Sequence, residues 1–285
     1  MEGTESRSPS ILELIHLGKR RFFPPYGEGL YRRVAILTGL GPGVEVLDVE
    51  CGNGMALEYL AREHGVQGTG VAADSQLVSR VREHFREAGL AGDLTLQEAS
   101  PADLPFRDET FDVAMGEVGL AASARPEEAI RELVRVLRPG GRVVLIQLVW
   151  KAAVDELRKG ILIDHLGAVP LMTVELRRVL LAAGVQDLHI EDWTEGGPAS
   201  RSGRLMPFPD FAEIFTLIEK LGILRKARRR WGWRGVRAAF RREMEVHRFL
   251  TEERVMGLSL LMGVKSGSPP YGEAPAGEGG FSGSP

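Results

Sequence analysis

The sequence predicts an α/β protein built on a parallel, doubly wound sheet of seven strands, with a helical cap in front and a helical insertion before the last strand. Three observations lead there. Strand-sized apolar runs alternate with helical stretches from Val44 to Asp192, and parallel neighbours need crossover connections of that length. A glycine-bearing turn, Asp48-Val49-Glu50-Cys51-Gly52-Asn53-Gly54, links the first of these strands directly to a helix. The 285 residues contain one Cys, so neither an internal disulfide framework nor a thiolate zinc cage is available, and the expected compartment is the cytoplasm. The longest apolar runs, such as Val143 to Val149, are strand-sized, and residues 1–10 have no apolar core behind a basic start, so neither a spanning helix nor an export signal is expected.

Residues 1–10 and 266–285 are rich in Gly, Pro and Ser; they are expected to be disordered tails. Residues 11–42 are expected to form the N-terminal cap. Within it Ile11 to Arg21 and Gly29 to Leu40 carry apolar residues at helical spacing, and Pro24-Pro25 breaks the chain between them. The expected strands are Val44–Val49, Gly68–Ala72, Asp93–Gln97, Phe111–Met115, Arg142–Trp150 and Gln186–Asp192, with Val255–Val264 as the seventh. The helices between them are Met55–Glu63, Gln76–Ala88, Pro126–Leu137 and Val174–Ala183. The core is thus residues 43–195 plus 255–265, and 196–254 is the insertion. There Phe208, Phe211, Ile214, Phe215, Ile218 and Leu221 share one helical face, and Trp233, Val236, Phe240, Met244 and His247 share another, the pattern of a lid.

The turn at residues 48–54 falls at the C-terminal edge of the sheet, where Gly lets backbone approach a ligand and a helix N-terminus presents free N–H groups. Three further motifs follow in order: Leu104-Pro105-Phe106, Phe111-Asp112-Val113, and Arg135-Val136-Leu137-Arg138-Pro139-Gly140-Gly141-Arg142. Together they resemble the class I S-adenosylmethionine-dependent methyltransferases, of the kind typified by the ubiquinone and menaquinone biosynthesis enzymes. The resemblance covers roughly residues 30–195 and the last strand. It implies a Rossmann-like sheet, S-adenosylmethionine across the strand ends, and a small-molecule acceptor, apolar or anionic, under the cap. It places Asp48, Gly52 and Gly54 in the donor turn and Glu117 at the methionine end of the donor. Alignment of acceptor with an already activated sulfonium is the main demand of such chemistry.

The chain departs from the family pattern at three places. Glu50 stands where the turn has its first Gly. Ala72 stands at the end of the second strand, where an acidic residue normally accepts the ribose hydroxyls; Asp74 lies two residues later, within reach if the loop bends back. Ser100, next to Ala99, stands where an Asp usually reads the adenine amino group. Each lost hydrogen bond is worth about 0.5–1.5 kcal/mol, or about 1.5–3 where charged. Glu50 admits three readings: it plugs the site by occupying the helix N-terminus, it binds the cationic donor, or it points to solvent. Two functions therefore stand: a methyltransferase, or a methyltransferase fold whose donor binding is weakened or lost and which serves as a binding or assembly partner.

Other residues carry weaker signals. Cys51 fits a small packing residue better than a nucleophile, having no His or second Cys adjacent in sequence. The six His show no metal-ligand spacing, so no metal is expected. Asp164-His165, in the helix after the fifth strand, offers an acceptor-side base or simply a core histidine. Phe23-Pro24-Pro25-Tyr26 looks like the Pro-Pro-aromatic motif of nucleic-acid and protein amino-group methyltransferases, but sits in the wrong part of the chain for that role. Lys220 to Arg242 holds ten Lys or Arg and no Asp or Glu. Its Arg225-Lys226-Ala227-Arg228-Arg229-Arg230-Trp231-Gly232-Trp233-Arg234 core fits docking on the acidic remainder of the chain, an anionic lipid surface or a protein partner. Nucleic acid is disfavoured for want of an accompanying module. Oligomeric state is left open.

Overall fold

A computed structural model of the chain describes residues 27–123, 125–194, 216–251 and 253–267, together with 9–10, 13–14 and 17–18. Its elements are α1 (Gly27–Thr38), β1 (Glu45–Val49), α2 (Met55–His64), β2 (Gln67–Ala72), α3 (Ser75–Glu87), β3 (Leu94–Glu98), β4 (Phe111–Gly116), α4 (Pro126–Arg135), β5 (Leu137–Trp150), α5 (Glu156–Leu166), β6 (Leu171–Met172), α6 (Thr173–Ala182), β7 (Val185–Asp192), α7 (Leu217–Thr251) and β8 (Met256–Lys265).

The strands form one sheet in the order β3-β2-β1-β4-β5-β8-β7, with the two-residue β6 paired to β5 beyond the end of β4. Seven strands match the expectation and β6 is an addition, too short to leave a periodicity. The sheet is parallel from β3 to β5, but β8 runs antiparallel to both its neighbours, β5 and β7. The apolar runs of the central strands face helices on both sides. In β5, Val144, Ile146 and Leu148 pack with residues of α1, α2, α3 and α5, while Val143, Leu145 and Val149 pack with those of α4 and α6. Two-sided burial is why these strands read as continuous rather than alternating hydrophobic segments.

The sequence motifs outside the glycine turn are brackets at the opposite edge of the sheet. Arg135 donates to the carbonyls of Leu104 and Phe106 at 3.1 and 2.8 Å, and Glu132 accepts the Leu104 N–H at 2.8 Å. Asp112 accepts the Glu45 N–H at 2.9 Å and pairs with Arg138 at 2.6 Å, tying β1, β4 and β5 at their starts. Gly141 has no room for a side chain: a Cβ would come within 2.8 Å of the Arg138 carbonyl oxygen and 3.0 Å of that of Asp112.

The cap and insertion are described in part. Residues 19–26, including the Phe23-Pro24-Pro25-Tyr26 motif, lie outside the described residues, as do 195–215 with Phe208, Phe211, Ile214 and Phe215, and 268–285. Most of the predicted Ile11–Arg21 helix falls outside them too. α1 is held to the sheet by an ion pair between Arg33 and Glu191 of β7. α7 is two helices in one run, broken at Gly232, whose φ of 67° and ψ of 174° no helix accommodates. The lid faces agree only in part with those predicted: Val236 is buried and Phe240 packs beside it. Ile223, Ala227, Val236 and Ala239 are buried apolar positions, gathered with Leu14, whereas Ile218, Leu221, Trp233 and Met244 point outward. The spacing located a helix but only part of its buried arc, because large apolar residues occur on both sides of it.

Candidate active site

β1 lies between β2 and β4, so its C-terminal turn is flanked by the ends of both: Val49 pairs with Val71 on one side and with Gly116 on the other. The turn is fastened by the N–H groups of Glu50 and Cys51, which donate to the Val71 carbonyl at 2.8 and 3.3 Å. Glu50 has φ 60°, Gly52 φ 53° and Gly54 φ 71°. Left-handed backbone costs an L-residue about 1–2 kcal/mol, which explains why glycine suits the position that Glu50 fills here.

The two glycines differ in purpose. A Cβ on Gly52 would meet nothing within 4 Å, whereas one on Gly54 would strike Phe85 at 2.6 Å and Val81 at 2.7 Å. Gly54 therefore lets α3 close against the turn, a packing role beside its place in the expected donor turn. Gly52 alone keeps open space in front of the backbone. Cys51 is buried, close to Gly70 and Leu57, and burial together with Asp48, Glu117 and Glu50 pushes its thiol well up, so it is an inert packing group.

Three carboxylates converge on this edge. Asp48 is fully buried and neither carboxylate oxygen has a hydrogen-bond partner. Burial, with Glu117 and Glu50 nearby, pushes its pKa well above the ordinary range. Glu50 is partly buried and burial raises it to about 7, so it does not point freely to solvent. Nor does it plug α2: its carboxylate makes no hydrogen bond to the N–H groups there, or to any other described residue. Glu117, just after β4, is raised to about 7 by burial, against a hydrogen bond that it accepts from the Tyr31 hydroxyl at 2.9 Å. Gln147 of β5 fixes the strand end beneath it, donating to the carbonyls of Gly116 and Glu117 at 2.8 and 2.7 Å.

Such a cluster is an electrostatic deficit. Like charges and burial disfavour ionisation, and an opposite charge restores it. Among the described residues no group of His, Cys, Asp or Glu is disposed to hold a metal ion. The residues present fit a cationic organic ligand, and a sulfonium or ammonium group meets that description. Tyr31 and Gln147 were not singled out from the sequence. Gln147 was detectable as the sole polar residue within Val143–Trp150; Tyr31 shows only as a hydroxyl on the apolar face of α1, a group that needs a partner once buried.

At the end of β2, Ala72 is buried and pairs with Glu98 of β3. The expectation that Asp74 could bend back is corrected: its Oδ1 accepts the N–H groups of Gln76 and Leu77 at 2.8 and 3.2 Å and caps α3. Ala99 donates its N–H to the Ala72 carbonyl at 3.2 Å, and Ser100 is exposed, its Oγ accepting the Ala102 N–H at 3.3 Å. His165 lies buried on α5, which packs on α7; burial and Arg242 lower its pKa to about 4, so it stays neutral, while Asp164 is exposed.

Residues 47–145 match the model of a methyltransferase domain. The O-methyltransferase resE of Aspergillus sclerotiorum is 30% identical over 167 residues, covering 58% of this chain and 63% of that protein. The ubiquinone/menaquinone biosynthesis C-methyltransferase UbiE of Idiomarina loihiensis is 34% identical over 121 residues, 41% of this chain and 48% of that one. The matches thus span less than two-thirds of these relatives' lengths. Among solved structures, the [4+2]-cyclase SpnF superposes with a TM-score of 0.64 at 25% identity, covering 83% of this chain and 80% of its own. Phosphoethanolamine N-methyltransferase 2 of Haemonchus contortus, in complex with S-adenosyl-L-methionine, shares the fold with a TM-score of 0.67 at 16% identity, over 90% of this chain and 57% of its own. By sequence, residues 47–145 match a methyltransferase domain, and the fold is shared with a methyltransferase solved in complex with S-adenosyl-L-methionine.

Proposed function

We propose that the chain binds S-adenosylmethionine at the end of β1 and transfers its methyl group to a small-molecule acceptor. The observation that carries this is the set of three carboxylates, Asp48, Glu50 and Glu117, gathered with no Lys or Arg paired to them among the described residues, at the edge where doubly wound sheets bind ligands. Asp48, Glu50 and Glu117 hold the cationic end of the donor; Gly52 and the Cys51 backbone line the turn that it approaches. Ala72 opens the space for the ribose and Glu98, one strand over in register, supplies the acid that Ala72 lacks. Ala99 and Ser100 flank the adenine. The bound donor supplies an activated methyl group on sulfur. What the protein adds is alignment, in which reacting atoms held at about 3–3.5 Å account for most of the acceleration. Tyr31 keeps the Glu117 carboxylate turned toward the site, and Gln147 holds the backbone that carries it.

The acceptor side is formed by the cap, residues 11–42, and the insertion, residues 196–254, set against a core of 43–195 and 255–265. The relatives are named for O-, C- and N-methyl transfer and so differ in the atom methylated. A cytoplasmic placement rests on the lone Cys51, unsuited to a disulfide-dependent fold. The name of SpnF records a cyclase on this same fold, so activity has to be tested at the site itself. Calorimetric titration with S-adenosylmethionine and S-adenosylhomocysteine does this. Micromolar binding, about -8 kcal/mol, supports the proposal, and its absence in the wild type together with its appearance in Glu50→Gly assigns the chain to the degenerate class instead.

A further inference from the structure

The strongest unassigned feature is the outward side of α7. At about 100° per residue, Leu217, Ile218, Leu221, Arg225, Arg228 and Arg229 occupy one third of the first helix, opposite the buried Ile223 and Ala227. Past Gly232 the same layout repeats: Trp233, Arg234, Arg237, Arg241 and Met244 lie opposite the buried Val236 and Ala239. Arg228 stacks over Trp233 with its guanidinium carbon 5.2 Å from the ring, so the two arcs join across the break into one surface. The apolar members are far from buried: Leu217 is 76% exposed, Ile218 84%, Leu221 69%, Trp233 55% and Met244 78%.

The six arginines of this surface make no ion pair with any described residue, so among the described residues this face of the cationic segment is not docked on acidic groups of its own chain. Their charge is left for something else. Identical faces brought together by a two-fold axis would set these arginines against each other, which disfavours a second copy. Nucleic acid rewards the arginines but not exposed Leu, Ile and Met beside them. An anionic bilayer rewards both, since apolar side chains enter the headgroup boundary while guanidinium groups meet phosphate.

We propose that the outward face of α7 docks on the surface of an anionic phospholipid bilayer, with Leu217, Ile218, Leu221, Trp233 and Met244 inserted and Arg225, Arg228, Arg229, Arg234, Arg237 and Arg241 at the headgroups. Among the described residues no helix is long and apolar enough to cross a membrane, so the contact is peripheral. It does not depend on the donor site.

The experiment is co-sedimentation of the full chain with sucrose-loaded vesicles of phosphatidylcholine alone or with about one-third phosphatidylserine. The wild type pellets with the anionic vesicles only, and salt releases it as the Debye length contracts. Replacing Arg225, Arg228 and Arg229 with Gln lowers the partition coefficient roughly a hundredfold, at about fivefold per arginine. Replacing Leu217, Ile218 and Leu221 with Ser lowers it more than tenfold while the salt dependence remains. All six positions are exposed, and circular dichroism checks that the variants fold. Failure of the wild type to pellet overturns the proposal. So does full binding by the Ser variant with release by polyuridylate, which would mark a polyanion surface, or a wild-type dimer that the substitutions dissolve.

Discussion

Glu50→Gln tests the carboxylate cluster because it should move stability and donor affinity in opposite directions. In the folded chain Glu50 titrates near 7 instead of the ordinary 4.5, on account of burial. A raised carboxyl pKa means that the native state retains a proton that the unfolded chain has released. The resulting penalty is absent below about pH 4.5, grows between about 4.5 and 7, and is complete above, where the gap amounts to about 3 kcal/mol. Removing the charge at constant shape should therefore leave the ligand-free protein unchanged at pH 4.5 and raise its melting temperature at pH 8 by on the order of 5–10 °C. A cation bound beside Glu50 reverses the balance by favouring ionisation. Wild-type affinity for S-adenosylmethionine should fall about tenfold from pH 8 to pH 6 through this group alone, with proton release on binding. In Glu50→Gln the affinity at pH 8 should drop ten- to a hundredfold, the loss of a charge-assisted contact. Melting curves and calorimetry in two buffers of different ionisation enthalpy read both quantities. Tighter donor binding by the variant, or no gain in stability at pH 8, would refute the reasoning, the first by showing that Glu50 obstructs the site.

The remaining predictions concern its neighbours. Tyr31→Phe removes the bond that lowers the pKa of Glu117, so calorimetry should find donor affinity about tenfold weaker and its pH midpoint moved upward. Gly54→Ala should cost about 2–4 kcal/mol in denaturant titration, combining overpacking against Phe85 and Val81 with positive φ. Gly52→Ala, with open space before it, should cost only about 1–2 kcal/mol and weaken donor binding at retained fold. Glu98→Gln should reduce donor affinity about tenfold, and adding Ala72→Asp to it should recover most of the loss; unchanged affinity in the single variant would remove Glu98 from the ribose site.

What the amino-acid pattern could disclose follows from how local its causes are. The strands β1 to β5 and the helices between them were legible because two-sided burial writes itself into apolar runs, as in Val143 to Val149. The turn at 48–54 was legible because positive φ selects glycine, and Glu50 stood out against that rule. Three-dimensional neighbours were not. Tyr31 reaches Glu117 across 86 residues, and Gln147 reaches Gly116 across 31; neither leaves a spacing. The packing of Phe85 and Val81 against Gly54 leaves no mark either, because a glycine that makes room for a side chain looks the same in sequence as one kept for a ligand. The buried arc of α7 was legible only in part, at Val236 and Phe240, because its outward side is itself apolar and Trp233 and Met244 fall there.

The antiparallel pairing of β7 with β8 has a consequence for how such a chain is altered. Trp193 donates its N–H to the Leu258 carbonyl at 2.8 Å, and Asp192 pairs with Ser259, so the roughly sixty residues between Thr194 and Val255 depart from and return to adjacent points of one hairpin. A short turn could close the same hairpin without disturbing the order of any strand. Topologically the segment is a cassette. Its length and sequence can change while β5, β8 and β7 keep their partners, so a lineage can alter what this segment meets without rebuilding the sheet that carries the turn at residues 48–54.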